Sequence, residues 1–270
     1  MKTIQRLLFL ALLVVSCEKP TLADNAQGTS DVKSTVESKK GSLQAKLIIE
    51  EAPFKKREGH TSVAFDNKIW VIGGYEGFGG NPRNDVWLSK NGESWEQLSA
   101  LKHFSPRTSH TTTVYKNRMW VIGGNEIPGR TNDVWTSGDG VHWQEVTANA
   151  AFVERSSHTT LVFDNKLWVI GGIDQNSTAL NDVWYSEDGI NWVEATANAS
   201  FSPRFSHTAL VHDGLMWVIG GRDTAESAKS DVWYSENGID WKTATLKAAF
   251  LPRTGHTSVV YNDRMWVLGG

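Results

Sequence analysis

Five arginines, Arg57, Arg107, Arg155, Arg204 and Arg253, stand 48 to 50 residues apart, and each is followed three residues later by a histidine: His60, His110, His158, His207 and His256. Arginine beside histidine is a pairing able to hold an anion and to move a proton. Its recurrence argues against catalysis, because a catalytic group is needed once and a structural group once per unit. The histidines are expected to hydrogen-bond between strands or between neighbouring units. The arginines are expected to pair with a nearby carbonyl or carboxylate, such as the Asp of each Asp-Val-Trp stretch (Asp85, Asp133, Asp182 and Asp231), since buried polar groups need partners.

Specific chemistry is expected where the repeats differ. The stretches 75–84, 125–132, 173–181 and 222–230 differ most, and bring Tyr75, Glu76, Phe78 and Arg83, then Glu126 and Arg130, then Asp174 and Gln175, then Arg222 and Asp223. On one face they would form a mixed charged and aromatic rim, suited to a carbohydrate or an acidic peptide, although loops are polar whether or not they bind. Phe205 replaces Glu58, Thr108, Ser156 and Thr254 of the other units, and is expected to protrude beside the arginines. His212 replaces the aromatic seen at Phe65, Tyr115, Phe163 and Tyr261, and His103 is a similar singleton.

Other chemistries find no support. No His-x-x-x-His pair and no cysteine cluster appear, so neither metal nor cofactor is expected. No nucleophile elbow or nucleotide loop is present. Net charge is −3 with no basic block, which speaks against nucleic acid.

The elements that must position these residues are short strands. Each arginine–histidine pair leads to a tryptophan (Trp70, Trp120, Trp168, Trp217, Trp266), two apolar residues and a Gly-Gly pair. A period near 50 built of short strands marks a propeller-type array, whose units bury their faces only against neighbours. All 13 tryptophans fall at three repeat positions, so they read as core. In the third unit, strands are expected at 159–163, 166–170, 181–186 and 191–195. Asn91-Gly92, Asp139-Gly140, Asp188-Gly189 and Asn237-Gly238 suggest type I′ hairpin turns, which need positive φ at both central residues.

These units resemble the Kelch repeat in the arginine before the first strand, the Gly-Gly closing the second, the Asn-Asp-Val-Trp third strand, and the tryptophan of the fourth (Trp95, Trp143, Trp192, Trp241). Tryptophan replaces the usual Kelch tyrosine in the second strand. The resemblance covers about residues 45–270 and implies an all-β, Kelch-type β-propeller with four complete four-stranded blades, starting at Arg57, Arg107, Arg155 and Arg204, plus a partial fifth. In Kelch adaptor proteins, matching arginines line a pocket for acidic peptides, which makes Arg57, Arg107, Arg155, Arg204 and Arg253 candidate ligand contacts alongside the loop residues. Ser186 to Trp192 also resembles the Asp-box of sialidase-like propellers, one residue short. The segment 47–54 resembles a fourth-strand tail and could clasp the last two strands. The chain reads either as part of a six- or seven-bladed ring or as a small five-bladed one.

The N-terminus tells a different story. Lys2 and Arg6 precede the apolar run Leu7–Val15, too short to span a membrane, which needs about 20 residues. Val14-Val15-Ser16-Cys17 resembles a bacterial lipobox, and Cys17 is the only cysteine. The resemblance implies a signal peptide over 1–16, lipidation of Cys17, and a tether over 17–44, polar and without apolar periodicity. Glu18 after the cysteine favours the outer membrane, facing the periplasm or the cell surface. With Cys17 committed to the anchor, the tyrosine–cysteine cofactor of galactose oxidase relatives is excluded. The expected function is a monomeric, lipid-anchored binding or scaffold protein for a protein or carbohydrate ligand. The rival is a sugar-processing enzyme like the Kelch-type sialic acid mutarotases, with Glu76 or Glu126 as acid–base group; it requires a non-periodic carboxylate in the channel beside an arginine.

Overall fold

The computed structural model describes residues 48–77, 80–99 and 103–270. Cys17, the tether and Phe78 lie outside the described residues. The described chain is all-β. Blade 1 is β1 (Thr61–Phe65), β2 (Lys68–Tyr75), β3 (Pro82–Ser89) and β4 (Trp95–Leu98), and blade 2 is β5 (Thr111–Tyr115), β6 (Arg118–Asn125), β7 (Arg130–Ser137) and β8 (Trp143–Thr147). Blade 3 begins with the short β9 (Arg155–Ser156), then β10 (Thr159–Phe163), β11 (Lys166–Asp174), β12 (Ala179–Ser186) and β13 (Val193–Thr196). Blade 4 is β14 (Thr208–His212), β15 (Leu215–Ile219), β16 (Val232–Ser235) and β17 (Lys242–Thr245), and a fifth unit has β18 (Thr257–Tyr261) and β19 (Arg264–Leu268). Each blade is an antiparallel meander in chain order. The inner strands β1, β5, β10, β14 and β18 are successive neighbours.

The second strand of each blade is apolar and buried on both faces, as a central strand must be. Its tryptophan donates Nε1–H to the carbonyl five residues back, as Trp168 does to Phe163 at 2.9 Å. The core lies between blades. Trp70 and Ile72 of blade 1 pack with Met119, Val121 and Trp143 of blade 2; the next two seams repeat this, and the last repeats its second-strand part, Trp217 and Ile219 with Met265 and Val267. The phenylalanines three residues before Arg57, Arg107, Arg155 and Arg204 sit edge-on to the fourth-strand tryptophan of the blade that follows, with centroids 5.0 Å apart for Phe152 and Trp192.

Two expectations about local structure are corrected. The clasp is not formed by the described part of its segment: residues 48–54 hold no strand, and Phe54 stacks edge-on to Trp95 of blade 1, as Phe104 does on Trp143. The segment is thus the counterpart of an inter-blade linker. The paired positive φ angles lie between first and second strands, as at Asp164 and Asn165 (48° and 52°), whereas at Asp188-Gly189 only the glycine is positive. There Ser186 Oγ accepts from Gly189 N–H, and Asp188 Oδ1 accepts from the amides of Ile190 and Asn191, so side chains replace the backbone bonds of a two-residue turn. A Cβ at Gly189 would lie 2.1 Å from the Trp120 ring of the preceding blade. The hairpin is a lid on its neighbour's core.

Candidate functional site

The arginines form the blade's internal lock. Arg155 donates Nη1–H and Nη2–H to the two oxygens of Asp182 at 2.8 and 2.6 Å, and Nη1–H to the Gly171 carbonyl. Trp184 Nε1–H completes the same carboxylate at 2.8 Å. Arg57, Arg107 and Arg204 repeat this on Asp85, Asp133 and Asp231. Arg253 reaches the Gly269 carbonyl. Burial raises the carboxyls of Asp85 and Asp231, but hydrogen bonds from arginine and tryptophan outweigh it and hold both below the usual range. Arg107, Arg155 and Arg204 are 0% exposed. These guanidinium groups offer no surface to a ligand, which turns attention to the loops.

The histidines bridge blades. His110, His158, His207 and His256 each share a hydrogen bond at Nε2 with the threonine that opens the preceding blade's first strand, at 2.9–3.1 Å. Burial, then the neighbouring arginine, keeps them neutral, lowering His110 and His207 to about 3 and His256 to about 4. Beside them runs a belt of backbone bonds in which each blade donates to the one before: Ser109 to Gly59, Ser157 to Ser109, Ser206 to Ser157, and Gly255 to Ser206. The central channel, about 360 Å³, is lined by hydroxyls of these inner strands together with His60 and His158. Among the described residues, no carboxylate lines it.

The second-to-third strand loops open on one face. Over blades 2 to 4 they enclose a cavity of about 440 Å³ lined by Arg130, Phe205, Arg222, Glu226 and the hydroxyls of Ser109, Ser156, Ser157, Ser177 and Thr224. It is built on one repeated cross-strand position whose occupants change from blade to blade: Glu58 opposite Tyr75, Thr108 opposite Asn125, Ser156 opposite Ile173, and Phe205 opposite Arg222. Phe205 does not protrude. It is 5% exposed, with the Arg222 guanidinium 4.7 Å over its ring, because the cation stacks on the aromatic face. Arg222 Nη1 meets Glu226 at 2.6 Å, and its Nε is buried without a partner. Arg130 Nε–H reaches Ser156 Oγ at 3.0 Å.

The other expected residues fall elsewhere. Arg83 pairs with Glu76 at 2.6 Å over blade 1, and Tyr75 faces Glu58. Glu126 accepts from Ser105 and lines a smaller hollow with Asn81, Pro106 and Ile127. Burial raises its carboxyl, against the pull of Arg107. Asp174 holds its own loop by accepting from the amides of Asn176 and Thr178, and Asp223 accepts from Ser227 N–H and Lys229 Nζ. The serines of the cavity were missed: Ser109 and Ser157 belong to the repeat and read as framework, and Ser156 became visible only as the partner of Ile173.

The family model described as the KLHDC2/KLHL20/DRC7 Kelch-repeats domain matches residues 35–186. A second, described as the DUF6242 beta propeller domain, matches residues 163–270. No curated protein sequence matches the chain.

Proposed function

The chain belongs to the Kelch-repeat propellers, a protein-binding scaffold, and on that premise we propose that its loop face binds an acidic segment of a partner protein. The observation that carries this reading is the convergence of Arg130 and Arg222 on one cavity, floored by Phe205 and ringed by serine hydroxyls. Two cations beside hydroxyl donors match carboxylates. Glu226, whose side chain is 70% exposed, holds Arg222 meanwhile; a partner carboxylate would take its place at little cost. The mutarotase-like alternative needs a channel carboxylate, and none lines the channel among the described residues. The lipobox-like Val14-Val15-Ser16-Cys17 supports attachment to a bacterial outer membrane through Cys17, with the propeller presented on a tether.

Fluorescence anisotropy with a labelled oligoglutamate peptide tests the site. Wild type is expected to bind it in preference to a neutral oligosaccharide, and Arg130→Ala with Arg222→Ala together to weaken it at least about tenfold. Equal affinity in the double variant overturns the assignment. Anchoring is tested separately by mass spectrometry of Cys17 in membranes from a bacterial host; an unmodified thiol there rejects it.

A further inference from the structure

On the face opposite the loop cavity, the seam between blade 4 and the fifth unit departs from the other seams. The residue ending each first strand is Phe65, Tyr115, Phe163 or Tyr261 in the other units and His212 here. Its backbone is anchored like theirs, its carbonyl accepting from Trp217 Nε1–H at 3.0 Å. At the seam of blades 2 and 3, Tyr115 Oη closes the gap directly, donating to the carbonyl of Asn165 in the next blade's turn at 2.6 Å. His212 faces the equivalent turn residue, Asp263. One ligand atom each from His212, Asp213 and Asp263 lies within 4.8 Å of the others.

The charges at this seam are uncompensated. In blades 1 and 3 the turn aspartates Asp66 and Asp164 pair with Lys68 and Lys166, two residues on. In blade 4 that position is the buried Leu215, and Asp213 has no ion pair among the described residues. Asp263, an asparagine at the same position in blade 3, adds a second unpaired carboxylate from across the seam. Two carboxylates and an imidazole that have lost their lysine and gained each other form a donor set for a cation, and the mixed nitrogen and oxygen set favours zinc-like ions over magnesium or calcium.

We propose that His212, Asp213 and Asp263 bind a divalent cation of the zinc class, fastening the fifth unit to blade 4. Ligand atoms around tetrahedral zinc stand about 3.4 Å apart, a spacing that small rotations of the exposed aspartates reach. Water completes the coordination.

The test is the melting temperature of the protein with and without a roughly tenfold excess of zinc chloride, beside the visible absorption of the cobalt(II) form. Two variants restore residues that other units carry: His212→Phe, as at Phe163, and Asp263→Asn, as at Asn165. Zinc is expected to raise the melting temperature of wild type by several degrees, reversibly with chelator, and neither variant should respond or show cobalt absorption. No shift in wild type overturns the site. An undiminished response in both variants means an adventitious ion only, held elsewhere. A magnesium response equal to that of zinc removes His212 from the ligand set.

Discussion

The seams between blades and the loop face above them are made from the same repeats under opposite rules. At every seam a threonine meets a histidine and an amide donates to the preceding carbonyl, and at the three seams between complete blades a phenylalanine stands edge-on to a tryptophan. On the loop face one geometric position holds a different pair in each blade. A periodic residue therefore reports what the fold requires, and a residue that breaks the period at a fixed position reports what this chain adds to it.

The comparison fails if the recurring parts prove dispensable. Asp182→Ala would strand Arg155, fully buried, without its carboxylate, and should cost about 3–5 kcal/mol, as for a broken buried pair. Trp168→Ala should cost a similar ~3–5 kcal/mol through the cavity it leaves. Urea denaturation at pH 7 measures both, and losses under about 1 kcal/mol would remove these residues from the framework.

Acid probes the seams together. A histidine whose folded pKa lies below its unfolded value of 6.5 leaves stability intact above pH 6.5. As pH falls from there toward the folded value of about 3 for His110 and His207, or about 4 for His256, the unfolded chain binds the proton first. Each such histidine then removes about 1.4 kcal/mol per pH unit. Denaturation at pH 7 and pH 5 should show a steep loss, shallower by one proton in His207→Gln; an unchanged slope in that variant means that His207 is not held neutral. At the small end, Arg222→Ala should alter stability by less than about 0.5 kcal/mol while weakening peptide binding. A large drop in melting temperature would transfer Arg222 to the framework.

Much of the frame was legible because periodicity exposes it. The third blade's first strand spans Thr159–Phe163 as expected, and Arg155 meets Asp182, one of the partners expected for it. The turn chemistry was not legible from dipeptides: Asp188-Gly189 looks like a two-residue hairpin, but Ser186 lies within reach and takes over the amide bonds. Arg130, Phe205 and Arg222 were legible as irregularities, whereas their meeting in one cavity was not, since Arg130 comes from blade 2 and the stacked pair of Phe205 and Arg222 from blade 4. Nor was the set of His212, Asp213 and Asp263, in which Asp263 stands about 50 residues after the other two in sequence and one seam away in space.

The backbone belt around the channel has a direction. At all four joints the later unit gives the proton and the earlier one receives it, and at each joint the earlier unit supplies the threonine and the later one the histidine. Such a joint is head-to-tail, like a bayonet fitting, and every unit carries both halves. Excising one whole period, for instance from Ser157 to Phe205, would bring together a socket and a plug of the kind already present. Gene-level gain or loss of a unit thus needs no compensating mutation at the joint, which leaves the number of units free to drift while the few irregular loop residues are kept.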